Sequence, residues 1–407
     1  MSAFHGGLTL IMSKDEIFDP LDPEVLADPF PAYKRLREFD PVYWHEGLNS
    51  WIVTRYADCA LVLDNSDIFA NDFRRIGIPT PTPILNLQTL DPPEQTPLRL
   101  FATSALHAQD LTKLDQEVSR HADELLDSLA GRDSFDFVRD FADPFTLGTI
   151  SKLVGVEPSA QDALWDQMND DLDRSMDSTL VPDSEEAGLD ARAKFSQLVD
   201  SWLKPGATKG LVGYIVAHES ETGVSREILV NSLRAFWHAG FEVPSRFLGN
   251  AIGALLKRPE AIAYLHNASS FDTAVNELVR FAPPVHVLSR GCTRDIQIGG
   301  KQIKSGQIVI AAIAAGNRDP EQFADPEQLK LDRSPNQHLG FGRGAHSCLG
   351  AQVARIEARI AFSKLAKRFP EMHATGEVKM RPNATLRGPE FLPMTLGPEK
   401  RSVAVSG

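Results

Sequence analysis

Positive charge, cysteine and long apolar runs are all in short supply in this sequence. Its 42 lysines and arginines face 55 acidic residues, a net charge of −13, which excludes nucleic acid or an anionic membrane surface as the default partner. Three cysteines, Cys59, Cys292 and Cys348, lie far apart in the chain. A disulfide framework is thereby excluded, at most one pair could form, and a reducing cytosol is the natural setting. The N-terminal stretch FHGGLTLIM has too few apolar residues to span a bilayer and lacks the basic flank and cleavage pattern of a signal peptide. No internal repeat or low-complexity tract is visible. The protein is expected in the cytoplasm, with Met12 an alternative start.

What is present suits a folded protein with a sizeable core and an enclosed pocket: 407 residues, 42% hydrophobic and 24% charged. One large domain or two ordinary ones fit. Residues 31–38 read as a helix, and PVYWHE and SWIVTRY around Gly47-Leu48-Asn49 as a hairpin. The run from 69 to 93 holds five prolines and no regular period, which predicts a long, partly ordered loop. Helical patterns dominate to about residue 284, and strand signals return in VHVLSR, DIQIGG and QIVIAAIA. Trp165, Met168, Leu172 and Met176 recur at helical spacing. Ten acidic residues and one basic, Arg174, fall between Asp162 and Asp190, read as a solvated helix pair and loop rather than an attractor for a cationic substrate. A last helix carries Leu349, Val353, Ile356 and Ile360 as a buried stripe.

At the entrance to that helix stands HLGFGRGAHSCLG, residues 338–350. A lone cysteine is more often a small buried hydrophobe than a reactive group. Here a thiolate at Cys348 would sit where free N–H groups and the macrodipole favour an anion. Gly342, Gly344 and Gly350 would let the backbone turn tightly around the sulfur and approach a large flat ligand.

The segment FGRGAHSCLG resembles the haem-binding loop of the cytochrome P450 family, Phe-Gly-x-Gly-x-His-x-Cys-x-Gly, at every fixed position. Glu277-x-x-Arg280, PPVHVLSR, AAGNRDP and DPPEQTPLR also resemble family segments in the expected order, and the likeness runs from about residue 29 to 397. The resemblance implies a mainly α (α+β) fold, a large helical part with small β-sheets, and haem b between a long central helix and the Cys-loop helix. One domain over 29–400 would lie between tails at 1–28 and 401–407. By resemblance Cys348 ligates the iron, with Phe341, Gly342 and Gly350 around it. Arg290, His346, Arg99 and Gln95 would meet the propionates, with His338 as a further candidate. Gln95 departs from the usual histidine and can donate a hydrogen bond but carries no charge. Glu277, Arg280 and Arg333 would form a buried, structural ion network.

The family places an Ala-Gly-x-(Asp or Glu)-Thr turn opposite the thiolate. In AGFEVPS, Ala239, Gly240 and Glu242 match, but Val243 stands at the threonine position and cannot donate a proton or hold a water. Ser245 lies about 200° around a regular helix from Val243 and should point away. Pro244 gives no N–H to the carbonyl of Gly240. That carbonyl could anchor a water, with protons moving through water, Glu242 or a substrate hydroxyl; the plainer reading is a kinked helix with Val243 packed on substrate. The implied pocket contains Phe236, Ala239, Gly240, Val243, Val285, His286, Phe391 and Leu392, closed by residues 69–90 and the Trp165 to Met176 face. It would take a moderately hydrophobic organic molecule, with His286 either reaching the ligand or only packing.

The resemblance implies a monooxygenase, in secondary metabolism, drawing electrons from NAD(P)H through a ferredoxin and its reductase, with a monomer as the family default. Between Arg343 and Arg368 six basic residues and one acid, Glu357, form either a solvated helix or a cationic dock for an acidic ferredoxin. Alternatives are a peroxide-driven or oxidative-coupling relative without oxygen insertion, and a non-catalytic haem-binding sensor.

Overall fold

The computed structural model describes residues 18–157, 170–172, 175, 177, 184–267 and 271–400. The fold is mainly α with small sheets, as the sequence implies. Helices α1 (Pro23–Ala27), α2 (Phe30–Phe39) and α3 (Tyr56–Asp64) alternate with β1 (Val42–His45) and β2 (Ser50–Val53), the expected hairpin. Trp44 and Trp51 face one another across it, ring centroids 5.2 Å apart, the kind of aromatic cross-strand pair that stabilises a ribbon. Helix α1 falls inside the segment expected to be a tail. Asp22 caps it by accepting from the Glu24 N–H, and the buried Phe18 before it packs against Tyr33.

Strand β2 runs parallel to β8 (Ile308–Ala311), which pairs antiparallel with β5 (Leu288–Cys292), and β5 with β3 (Phe69–Ala70), giving a five-stranded sheet in the order β1-β2-β8-β5-β3. This sheet fixes Arg290 at the middle of β5. The run from 69 to 93 is more ordered than its prolines predict. It opens with β3, makes two 3₁₀ turns, and is pinned from the long helix: Asn231 Nδ2 donates to the carbonyls of Thr82 and Leu85, Arg234 donates to the carbonyl of Pro83, and Ser232 Oγ accepts from the Leu87 N–H. Side chains on a distant helix supply what local sequence lacks.

The helical part comprises α4 (Gln95–His107), α5 (Leu111–Leu129), α6 (Asp143–Val154), α7 (Ser184–Trp202), α8 (Gly210–His218), α9 (Arg226–Leu256), α10 (Pro259–Asn267), α11 (Asp272–Phe281), α12 (Ile313–Gly316) and α13 (Ala351–Arg368). Phe137, Phe141, Phe145, Phe195, Phe362 and Phe369 are wholly buried in its core. Helix α9 is N-capped by Ser225 and stays helical through Pro244. Burial of most of its length outweighs the lost N–H of one proline. Where α6 crosses it, a Cβ on Gly240 would stand 2.5 Å from Ile150 Cδ1, so close approach of two helices requires glycine there. Of the Trp165 to Met176 face only Leu172 lies within the described residues, and it is buried. On α13, Val353 and Ile360 are buried as expected, whereas Leu349 and Ile356 are only half-buried.

Candidate active site

The loop before α13 turns on two glycines in the left-handed region, Gly342 (φ +63°) and Gly344 (φ +65°). A Cβ on Gly344 would meet the Leu63 carbonyl oxygen at 2.7 Å, so this residue seats the loop against the end of α3. The Cys348 N–H donates to the Phe341 carbonyl (2.7 Å), closing the turn. Arg355 lies 4.5 Å over the half-buried Phe341 ring. Cys348 is exposed, whereas Cys59 and Cys292 are buried. Gly350 faces open space, with nothing within 4 Å of where its Cβ would be. Surrounding protein pushes the Cys348 thiol up, opposed by the Gly350 N–H and by Arg99 and Arg355. In the chain by itself, desolvation therefore outweighs the helix end that sequence reasoning relied on.

Helix α9 carries a stripe that is less buried than its neighbours. Phe236, Ala239, Gly240 and Val243 are half-buried at helical spacing, while Trp237, Phe241, Glu242 and Ser245 are buried. Phe236 lines an apolar cavity of about 50 Å³ together with Leu98, Phe101, Ala105, Leu233 and Leu349. Sequence reasoning missed the α4 members of this wall. Their signal was the apolar run beside Arg99. Leu87, from the proline-rich run, also lines it.

Glu242 is tied to Arg246, Nε to Oε2 3.1 Å, both almost wholly buried. Ser245 donates to Asp143, on the far side of α9 from Val243, as the helical angle predicts. Gly240 is occupied in packing on Ile150.

Three expected pocket residues lie elsewhere. His286 is buried between Phe30 and Tyr33, ring centroids 5.6 and 6.0 Å away, because its strand entry turns it toward α2. In β11 (Pro389–Phe391) and just after it, Phe391 is exposed and Leu392 is in the core beside Gly253, since neighbouring strand residues face opposite ways. Val285 is half-buried and bridges Leu386.

The polar residues near the loop are partly engaged. His346 Nε2 lies 2.9 Å from Asp91 Oδ1, and Gln95 Nε2 donates to the Ala345 carbonyl at 3.0 Å while approaching His346 Nδ1 at 3.4 Å. Arg99 donates to the Ser347 carbonyl (2.7 Å). Arg290 is 6% exposed and donates only to its neighbour's carbonyl, Ser289 O (2.8 Å), with burial pulling it down to about 10. Among the described residues no carboxylate reaches ion-pair distance of Arg290 or Arg99. His338 is different: its Nδ1 accepts from the Gly340 N–H and its Nε2 approaches Asn276 Oδ1 at 3.4 Å. Burial pulls it down to about 4, favouring the neutral ring.

Glu277 and Arg280 form a bidentate pair, both contacts 2.7 Å and both side chains 0% exposed, and Arg333 Nε adds a contact at 3.0 Å. Lys330 N–H and Asn336 Nδ2 fill the remaining lone pairs of the carboxylate. The basic run of α13 is not a free cationic face. Arg359 pairs with Asp115, Lys364 with Asp123, and Arg368 with Asp123, Asp127 and Glu399, while Arg343 before the helix pairs with Asp64. Asp115, Asp123 and Asp127 of α5 answer three of its five basic residues, while Arg355 and Lys367 lie over the rings of Phe341 and Phe271. Glu357, the one acid in the run, is buried with its carboxyl pushed well up.

The set fits a haem. A single exposed thiol, an open cradle at Gly350, and two guanidiniums without carboxylates are what one iron ligand and two propionates ask for. Among the described residues no cluster of three or more His, Cys, Asp or Glu gathers to hold a metal, and no helix is long and apolar enough to cross a membrane.

The comparisons agree. The family model described as Cytochrome P450 matches residues 269–390. Cytochrome P450 CYP107DY1 of Priestia megaterium is 31% identical over 94% of this chain and 100% of its own. The polyketide biosynthesis cytochrome P450 PksS of Bacillus subtilis is 30% identical over 93% and 98%. The crystal structure of CYP109E1 from Bacillus megaterium with testosterone superposes with a TM-score of 0.83 at 26% identity, covering 92% of this chain and 99% of that one. With near-complete coverage at this identity, and a thiol, cradle and buried cations where such an enzyme needs them, the chain belongs to the cytochrome P450 family and is a P450 monooxygenase.

Proposed function

We propose that this enzyme hydroxylates or otherwise oxidises a moderately hydrophobic small molecule of secondary metabolism. The exposed Cys348 thiol at the entrance to α13, next to Leu349 that shares a cavity with Phe236 of α9, carries this reading. When bound, the haem supplies dioxygen activation, and thiolate ligation favours O–O cleavage. Cys348 would hold the iron and Arg290 and Arg99 would neutralise the propionates, with Gln95 keeping His346 and the Ala345 carbonyl in place. Phe236, Leu98, Phe101, Leu233 and the half-buried Val243 exclude water from the substrate. Kinship to a P450 of polyketide biosynthesis supports the substrate class.

Val243 leaves proton supply to water. The Gly240 carbonyl, which receives no N–H from Pro244, is an acceptor for that water. Glu242, held as a carboxylate partner by Arg246, orders the turn. Electrons come from NAD(P)H through a ferredoxin and its reductase, with the enzyme a cytoplasmic monomer. Because three of the five basic residues of α13 are paired, docking rests on shape and on the rearrangement of those pairs more than on free charge.

The test is an optical ligand screen on the haem-loaded protein, then turnover of each hit with a ferredoxin, its reductase, NADPH and ¹⁸O₂. A product heavier by one labelled oxygen atom is expected. Turnover that needs only peroxide, or product without label, overturns the reading.

A further inference from the structure

A second void of about 970 Å³ opens between the N-terminal helices and the C-terminal half of α9, sharing no lining residue with the cavity at Leu349. Six cations line it, Lys34, Lys257, Arg258, Arg318, Arg381 and Arg387, against two carboxylates, Asp28 and Glu327. On a chain of net charge −13 this concentration of positive charge runs against the whole.

One of the two carboxylates answers one of the six cations. Glu327 is engaged by Arg318, whose guanidinium is clamped between the rings of Phe30 (4.1 Å) and Phe281 (3.9 Å). Arg258 donates to the Ala254 carbonyl (2.9 Å), and Arg387 to the carbonyls of Asn383 (2.9 Å) and Leu26. Asp177, whose charge reaches Arg387, spends its oxygens on the N–H groups of Ala384 and Thr385 (2.8 and 2.9 Å). Among the described residues, three buried polar atoms of the wall have no hydrogen-bond partner: Nε of Arg318, Nε of Arg381 and Nδ1 of His286, a residue only 3% exposed. Burial pulls Arg318 down to about 10 and lowers Arg387 and His286. Beyond the Arg318–Glu327 pair, a desolvated guanidinium held by carbonyls, as Arg387 is, is costly to bury, and an anion beside it lowers that cost. Leu26, Phe30, Val378 and Met380 add apolar wall.

We propose that this groove binds a small organic anion, a carboxylate or phosphate head on an apolar body, at a site separate from the cavity at Leu349. Guanidinium groups pair with either head, and the apolar wall accounts for the body. The inference goes beyond the monooxygenase reading and does not depend on it.

The experiment uses the haem-loaded protein with decanoate, decyl phosphate and decanol, read by calorimetry and by hydrogen exchange with mass spectrometry. At least one anion is expected to bind with a stoichiometry of one and to protect residues 23–34 and 378–389, while decanol does not. The double substitution Lys257→Gln with Arg381→Gln should weaken binding at least tenfold. Should that protein fail to fold, Lys34→Gln with Lys257→Gln, both at exposed positions, should give a smaller loss of the same sign. Binding by neither anion, equal binding of decanol, unchanged affinity in the variants, or protection confined to 87–106 and 229–236 would each overturn the proposal.

Discussion

Ser245 of α9 donates its hydroxyl hydrogen to the carboxylate of Asp143 at the start of α6, on the side of α9 away from Val243. Burial pushes the Asp143 carboxyl up to about 6 from an ordinary value of 3.8, with Glu242 adding to the shift and the Ser245 hydroxyl opposing it. The folded value is above the unfolded one, so the protonated form is favoured on folding. Its stabilising contribution is full below about pH 3.8 and lost as pH rises through about 6. A shift of this size corresponds to about 3 kcal/mol at most. Asp143→Asn should therefore be more stable than the parent near pH 7 and lose that advantage toward pH 4. Denaturant midpoints of the two proteins across this range check it, and a constant difference between them would refute the assignment.

Glu277 answers two guanidiniums at once, Arg280 and Arg333, which are 0% and 8% exposed. Glu277→Gln keeps the shape but leaves both cations buried without an anion. The expected loss is about 3–5 kcal/mol in denaturant unfolding, the usual cost of stranding a buried charge. A loss under about 1 kcal/mol, typical of exposed pairs, would mean that the backbone carbonyls of Asn317, Pro326 and Gln328 around Arg280 suffice by themselves.

The site was most legible where chemistry demands residue types at fixed separations. The Cys348 loop could be read residue by residue, and Glu277 with Arg280 follows from i, i+3 neighbours sharing a helix face. What could not be read depended on partners distant in sequence. The basic run of α13 looked wholly free because Asp115 and Asp123, which pair with Arg359 and Lys364, lie some 240 residues earlier. Phe391 and Leu392 could not both face one cavity, since strand neighbours alternate; that rule was available from sequence and settles the pair. His286 was undecidable without α2. The order in residues 69–93 was hidden for the same reason, its hydrogen bonds coming from Asn231, Ser232 and Arg234.

Two glycines of the loop separate folding from cofactor capture. Gly344 has φ +65° and a Cβ there would press on the Leu63 carbonyl, whereas Gly350 has φ −83° and open space around it. Gly344→Ala should lower the stability of the chain by about 1–3 kcal/mol through backbone strain. Gly350→Ala should leave the haem-free chain as stable as the parent but reduce the haem retained after purification. Melting of the haem-free proteins and haem content per chain give the two readings. A destabilised Gly350→Ala chain would mean that the space at Gly350 serves packing, not a cofactor.

Val243 stands where the family motif has threonine, and Val243→Thr restores the hydroxyl. A helical threonine can donate its hydroxyl to the carbonyl four residues back, here Ala239, and so compete for the water that the Gly240 carbonyl would hold. One hydrogen bond is worth about 1 kcal/mol, a factor of about five in how turnover divides between product and wasted reducing equivalents. With the native substrate the product formed per NADPH consumed should fall by about that factor. If the yield instead holds or improves, valine at 243 is a wall of the pocket and nothing more, because a site already adapted to water-borne protons cannot gain from a donor that displaces the water.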